Sequence, residues 1–136
     1  MKSILAVVVG LGVATAWPCV AAALELPQVQ GQYTRAYRDC PGLKTAIDPE
    51  MLACISKEYE VQDGRLNAAY AKALSALEPG GKKRLRAAQR TWVAYRDKWC
   101  AVGYRRNSGS LERIMAAHCR LEETVLQRLR LEDLAK

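Results

Sequence analysis

Three long stretches of the chain repeat apolar residues at three- and four-residue steps. The first stretch begins at Asp48-Pro49 and ends at Pro79-Gly80-Gly81. Asp48 suits a helix cap and Pro49 suits the first turn, where its missing N–H costs nothing. The spacing predicts one helix with a single buried stripe, which comprises Leu52, Ile55, Tyr59, Leu66, Tyr70, Ala73 and Leu77.

Apolar residues recur at the same three- and four-residue steps in two further predicted helices. The second runs from about Lys82 to Arg105, with its stripe at Leu85, Ala88, Trp92, Tyr95, Trp99 and Val102. After a break at Asn107-Ser108-Gly109-Ser110, the third runs from about Leu111 to Leu134 and is capped by Ser110 or Ser108. Its buried side comprises Leu111, Ile114, His118, Leu121 and Val125.

The remaining pattern completes the expected fold. Leu24 to Arg38 is polar and mixed, which predicts an irregular arm with a turn of helix around Tyr33–Arg38. Strand-like alternation does not extend over a useful length. We therefore expect an all-α protein, a small antiparallel bundle of three main helices joined by short turns.

The N-terminus reads as a secretory signal peptide. Lys2 precedes an apolar run from Ile4 to Val13, and a small-residue stretch ends at Ala23. This run of ten residues is shorter than the roughly 20 that span a bilayer. We predict a signal peptide over residues 1–23, cleaved after Ala22 or Ala23, and a single mature domain over 24–136. That domain is expected in the periplasm or outside the cell, without stable membrane insertion.

Export changes the reading of the cysteines. Cys19 lies in the predicted signal peptide beside Pro18 and Trp17, where a lipidation signal needs small residues. The other four, an even number, indicate two disulfides, and they lack the C-x-x-C spacing typical of zinc sites: Cys40, Cys54, Cys100 and Cys119. We predict no metal and no cofactor.

Of the three possible pairings, we favour Cys40–Cys54 and Cys100–Cys119. Cys100 and Cys119 fall within roughly 6 Å of the same height on the predicted hairpin of the second and third helices. Cys54 lies one turn into the first helix and Cys40 ends the arm, so that bridge would attach the arm to the bundle. The crossed pairings remain open.

The net charge and the absence of catalytic motifs limit the classes of function that this chain could have. The formal net charge of +7, lowered by one when Lys2 is removed, favours polyanionic partners. Export argues against nucleic acid. No nucleophile motif, H-E-x-x-H or phosphate loop occurs, so we expect a protein that is not an enzyme. One candidate function is an envelope-binding module for anionic lipid or polysaccharide, which would use Lys82, Lys83, Arg84, Arg86 and Arg90.

The motifs carry a family resemblance. The strings Leu66-Asn67-Ala68-Ala69-Tyr70 and Ala88-Gln89-Arg90-Thr91-Trp92-Val93-Ala94-Tyr95-Arg96-Asp97, followed by Cys100, are similar to the signature of the LprI-like lysozyme-inhibitor domain family. The resemblance extends from about Cys40 to Leu131. It departs after the last Cys, where Glu123 precedes Thr124 and Gln127 stands in place of an Arg that is displaced to Arg128. The resemblance implies an exported inhibitor that docks on a lysozyme and blocks its cleft.

The motif residues admit two interpretations. In the structural one, Trp92 and Trp99 lie in the core, Arg96 pairs with a carboxylate such as Asp63, and His118 is an ordinary bundle histidine. In the functional one, the motif forms a polar docking surface. That surface would comprise Gln89, Arg90, Arg96 and Asp97 on the second helix, with Ser108 and Ser110 in a turn that enters the lysozyme groove.

A basic lysozyme would repel this basic chain at long range. Docking would then need an acidic or polar patch, for which the available acids are Glu112, Glu122, Glu123, Glu132 and Asp133.

Overall fold

The computed structural model describes residues 25–45, 47–102 and 109–136, with side chains from residue 28 onward. These residues form helices and turns, and none of them lies in a strand. The elements are α1 (Glu25–Gln30), α2 (Arg35–Arg38), a 3₁₀ turn (Pro41–Leu43), α3 (Asp48–Ala76), α4 (Pro79–Ala101) and α5 (Ser110–Leu134). The predicted all-α fold with three main helices is confirmed. Within this part of the chain, no helix is long and apolar enough to cross a bilayer.

The core is built between α3 and α5. Near its start, α3 buries Ile55 in a cluster with Ile114 and Leu121 of α5. Near its end, α3 buries Leu66 in a second cluster with Leu131. The first half of α3 therefore packs against the first half of α5, and their second halves pack against each other, so α3 and α5 run parallel. The helix between them in sequence, α4, runs antiparallel to both. The apolar stripe predicted for α3 is confirmed, since each of its members is buried or half-buried.

The arm that precedes α3 packs against α3 and α5. Val29, Tyr33 and Tyr37 are buried in the same cluster as Ile55. Thr34 caps α2, because its hydroxyl accepts a hydrogen bond from the backbone N–H of Tyr37 at 3.1 Å. The predicted turn of helix in this region is therefore confirmed. The expectation that the rest of the arm is irregular is wrong, because Glu25–Gln30 forms α1, and the arm is a folded part of the core.

Both predicted disulfides form. Cys40–Cys54 joins the arm to the first turns of α3, with a Cα–Cα distance of 6.1 Å. Cys100–Cys119 joins the end of α4 to α5, with a Cα–Cα distance of 5.5 Å. The pairing favoured from helical height and from the position of Cys40 at the end of the arm is confirmed.

Three predicted helix ends are wrong. Pro79 opens α4 about one turn before Lys82, because Glu78 caps the helix and its carboxylate accepts from the N–H groups of the first turn. Ile47 and not Asp48 is the cap of α3, although Asp48 in the first turn still complements the helix dipole. Gly109 precedes α5, so Ser110 is its first residue; Ser108 and Arg105 lie outside the described residues.

The apolar stripe predicted for α4 is wrong at Ala88, which is exposed, and over its second half. Tyr95, Trp99 and Val102 are 50%, 53% and 72% exposed. The buried positions of α4 are Gly81, Leu85, Gln89, Arg96 and Cys100. The disulfide requires Cys100 to face α5, and adjacent helical residues point about 100° apart, so Trp99 is turned outward. Leu111, predicted on the buried side of α5, is also exposed.

Candidate functional site

The inward face of α4 is polar, and it holds the helix to α5. Gln89 is buried and its side-chain oxygen accepts a hydrogen bond from Gln127 Nε2 at 2.8 Å. Gln127 occupies the position where the family pattern has an arginine. The residue that departs from the pattern is therefore hydrogen-bonded to α4. Arg128, one residue further, is buried and turns to the arm, where it donates to Gln32 Oε1 at 2.7 Å.

Arg96 is the centre of this inward face. Its guanidinium carbon lies 4.9 Å from the ring centroid of Trp92 and 5.8 Å from that of Tyr59. Its Nε donates to Asp97 Oδ1 at 3.0 Å, and Nη1 donates to Thr124 Oγ1 at 3.4 Å. The guanidinium thus stacks between rings from two helices while it bonds to the third, which fixes the spacing of α3, α4 and α5.

Two structural expectations for the motif are wrong. Arg96 pairs with Asp97 and not with Asp63, which instead accepts a hydrogen bond from Asn67 at 3.2 Å. Trp92 packs against the core as expected, but Trp99 does not. Half-buried His118 has its Nδ1 3.4 Å from Glu122 Oε1 and its ring edge-on to Tyr33, which fits a histidine that packs within the bundle.

The outward face of α4 carries an aromatic pair. Tyr95 and Trp99, one turn apart, stack with ring centroids 6.2 Å apart and an interplanar angle of 9°. Three further exposed residues extend this surface onto α5: Val102, Leu111 and Met115. We call these five residues the hairpin patch. An exposed cluster of aromatic and apolar side chains is typical of a protein-binding surface.

The hairpin patch is backed by the disulfide. Trp99, Val102 and Met115 line a cavity of about 250 Å³ whose wall includes Cys100 and Cys119. Glu112 lines the same cavity and supplies an acidic group beside the apolar ones. The Cys100–Cys119 cross-link joins α4 to α5 beneath the patch.

The six residues predicted as binding residues are divided by the structure. Gln89 and Arg96 are buried between helices, whereas Arg90 and Asp97 lie on the exposed side of α4. Ser110 is half-buried at the start of α5, and Ser108 lies outside the described residues. Tyr95 and Trp99 were predicted on the buried stripe and not as binding residues, yet both are exposed. The position of Cys100 was the signal for them, since a disulfide to α5 forces the preceding residue off the inner face.

The described residues define a small helical bundle that is cross-linked by two disulfides and carries an exposed aromatic pair on α4 beside one of them. The family model described as lysozyme inhibitor LprI matches residues 40–131, and the chain belongs to this family. Membership supports a lysozyme-inhibitor-like role with a lysozyme as partner. Together with the disulfides, it also indicates an exported protein.

A curated relative gives the family context. The chain is 26% identical over 105 residues to an uncharacterized protein of Rhizobium meliloti (strain 1021). The match covers 67% of this chain and 76% of that relative. No solved structure matches the chain.

Proposed function

We propose that this protein inhibits a lysozyme by docking the hairpin patch over the substrate cleft of the enzyme. The observation that carries the activity is the family match over residues 40–131. The geometry contributes the surface, since the stacked pair Tyr95 and Trp99 is exposed on a disulfide-fixed hairpin. The inhibitor acts sterically and is not itself a catalyst.

The residue types of the patch suit a tight protein contact. Tryptophan and tyrosine are enriched among the few residues that dominate binding energy at interfaces. Because Cys100–Cys119 already restrains the two helices, docking orders few new degrees of freedom. A preorganised surface therefore keeps more of its contact energy as affinity.

The charge distribution also favours this end of the molecule. Five cations lie at positions 82–90 in the first half of α4, whereas the described residues at the patch end carry fewer: Lys98 and Arg113, with Glu112 in the cavity wall. A basic lysozyme would meet less repulsion at the patch than at the first half of α4. Ser110 begins α5 directly before Leu111, so the predicted insertion of the Ser108–Ser110 turn would occur beside the patch.

A second candidate function is binding to an anionic envelope polymer. Lys83, Arg86 and Arg90 are exposed on α4 at three- and four-residue steps, which places them along one side of the helix. Such a row can follow a polyanion. Its binding would weaken steeply as salt is raised, because it depends on interactions between exposed charges.

We also propose export through cleavage of residues 1–23. Intact-mass analysis of secreted protein should give an N-terminus at Ala23 or Leu24. A mass that retains Met1, or an acylated Cys19, contradicts this proposal.

The decisive experiment measures cell-wall lysis by turbidity with several lysozyme classes, with and without residues 24–136. Wild type should slow at least one class, and Trp99→Ala should raise the inhibition constant at least about tenfold. Leu134→Ala is the matched control, since Leu134 is similarly exposed (49%) but lies at the far end of α5. Both variants should unfold near the wild-type temperature.

Three results would replace this proposal. If wild type slows no lysozyme class at micromolar excess yet binds anionic polymer in a salt-sensitive way, the envelope-binding function is correct. If inhibition is present but Trp99→Ala and Leu134→Ala behave alike, the hairpin patch is not the docking surface. If Lys83→Gln with Arg86→Gln abolishes inhibition, the first half of α4 is the contact.

A further inference from the structure

The geometry points to a second binding site, a groove along α3 that accepts an uncharged saccharide chain and whose opposite wall is formed by α4 and, in its larger part, also by α5. This site is separate from the hairpin patch and does not depend on the proposed inhibition. Two adjoining cavities of about 530 Å³ and 380 Å³ form the groove, and Arg96 lines both. Each volume falls within the range of known small-molecule sites.

The groove exists because α4 stands away from α3. Large side chains separate the two helices, since Arg96 is stacked between Tyr59 of α3 and Trp92 of α4. The lining extends along α3 from Ile55 to Tyr70, which is about 23 Å of helix at 1.5 Å per residue. This length suits an oligomer better than a single small molecule.

The rim of the larger cavity carries polar groups that the fold does not use. Ser56, Glu60 and Arg120 line it, and their side chains make no hydrogen bond or ion pair within the described part of the chain. Asp97 lines it too, and its side chain is 52% exposed although Oδ1 bonds to Arg96. Polar groups that converge on a cavity without internal partners are available to a ligand.

The walls also offer apolar and aromatic surface. Tyr59, Ile55 and Ala117 line the larger cavity, while Tyr70 and Trp92 line the smaller one. A sugar ring combines flat C–H faces, which pack on aromatic rings, with hydroxyl groups that both donate and accept. The groove supplies both kinds of partner along its length.

The signs of the charges favour an uncharged chain over a polyanion. The larger cavity contains two carboxylates, Glu60 and Asp97, and two guanidinium groups, Arg96 and Arg120. The smaller cavity adds Asp63 together with Arg86 and Arg90, so carboxylates and guanidinium groups occur together in both parts of the groove. A polyanion would gain from the arginines but be repelled by the carboxylates. Hydroxyl groups can donate to the carboxylates and accept from the arginines, so a neutral saccharide uses both.

The test uses the mature chain, residues 24–136, with chitotetraose as the uncharged saccharide and dextran sulfate as the polyanion. In a Trp99→Phe background, Trp92 is the remaining tryptophan of residues 24–136, so its fluorescence reports on the groove. Chitotetraose should change this fluorescence and release heat in calorimetry, with little dependence on salt. Dextran sulfate should not change the fluorescence.

Substitutions on the rim locate the site. Glu60→Gln with Arg120→Gln should weaken chitotetraose binding at least about tenfold, because hydrogen bonds to two charged groups are lost. Lys72→Gln with Asp133→Asn is the matched control, with exposed charges away from the groove, and should bind like wild type. Neither pair should shift the unfolding temperature by more than a few degrees.

Three results overturn the inference. One is the absence of heat and fluorescence change with chitotetraose at millimolar concentration. Another is equal binding by the rim variant and the control variant, which would place the saccharide elsewhere. The third is a fluorescence response to dextran sulfate alone that disappears at high salt, which would make the groove an anion site.

Discussion

The arm and α4 both cover the α3–α5 pair, and each is cross-linked to it by one disulfide, but they are held in different ways. The arm is anchored by a buried polar network: Glu58 accepts from Thr34 N at 2.9 Å and from Gln62 Nε2 at 2.7 Å. Gln62 also donates to the Gln32 carbonyl at 2.9 Å, and Arg128 donates to the Gln32 side chain. Apolar arm residues fill the space beside this network.

By contrast, α4 is attached at a few separate points. These are Leu85 in the core, Gln89 on Gln127, Arg96 between two rings and Cys100 in the disulfide. Between these points α4 leaves a groove toward α3 and an exposed aromatic patch toward solvent. The comparison shows that the arm completes the core, whereas α4 presents both candidate binding surfaces.

The largest difference in stability between the arm and α4 is expected when the main hydrogen-bond acceptor of each is removed. Glu58→Ala leaves the donors of Thr34 and Gln62 unsatisfied in a buried site and should cost about 3–4 kcal/mol of unfolding free energy. Gln89→Ala removes one hydrogen bond of α4 and should cost about 1 kcal/mol. Urea denaturation measures both. Equal losses of unfolding free energy would contradict the proposed difference between the arm and α4.

Removing each disulfide in turn should show that the arm and α4 differ in mobility. Each loss should cost about 3 kcal/mol in the chain-entropy model, because the loops are of similar length. Without Cys100–Cys119, amide hydrogen exchange should accelerate along the second half of α4. Without Cys40–Cys54, the arm should stay protected because its polar network remains. Faster exchange in the arm than in α4 would refute the comparison.

Glycine replacements probe packing at smaller cost. In the 3₁₀ turn of the arm, a Cβ on Gly42 would lie 2.5 Å from the Glu50 carbonyl oxygen and 2.9 Å from Cys54 Sγ. Gly42→Ala should therefore destabilise by about 2 kcal/mol. A Cβ on Gly64, in α3, meets nothing within 4 Å, so Gly64→Ala should stabilise by about 1 kcal/mol. Thermal unfolding gives both signs.

The smallest effect at neutral pH concerns the arm tyrosines. Burial, with a contribution from Glu122, raises the pKa of Tyr33 above its ordinary value of 10.0. Burial and then Glu58 raise the pKa of Tyr37. The neutral phenols thus stabilise the fold below pH 10, and this stability is lost as pH rises above 10, because the unfolded chain releases these protons first.

Tyr33→Phe isolates this alkaline effect. The Tyr33 hydroxyl is buried and has no hydrogen-bond partner within the described residues, so its removal should change stability by less than about 1 kcal/mol at pH 7. Above pH 10 the variant should lose less stability than wild type. A Tyr95→Phe control, at an exposed site on α4, should follow the wild-type pH curve. The same curve for Tyr33→Phe would contradict the prediction.

Local pattern predicted much of the fold. The stripe of α3 was readable because this helix packs against apolar α5, so apolar spacing and burial coincide. The cysteine pairing followed from helical rise and from the position of Cys40 in the sequence, which are properties of the chain alone. The ends of α4 and α5 were less accurate, because a cap depends on which neighbouring carboxylate or backbone group reaches the free N–H groups.

The predicted binding residues show the same limit of local sequence pattern. The motif around Arg96 identified α4 as the important helix, but it did not show that Gln89 and Arg96 face inward. Polar residues reach a buried face only when partners on other helices satisfy them, here Gln127 and Thr124. Such partners are distant in sequence, so periodicity alone does not reveal them.

By itself, the sequence predicted the three main helices, the favoured cysteine pairing and the family, because each depends on spacing or composition along the chain. The tertiary structure decided which side of α4 is exposed. The cross-link to Cys119 turns Cys100 inward, Arg96 inserts between two rings, and Trp99 is consequently left in solvent. A helix has one orientation about its axis, and distant partners set it wherever the apolar stripe is not strong enough to do so alone.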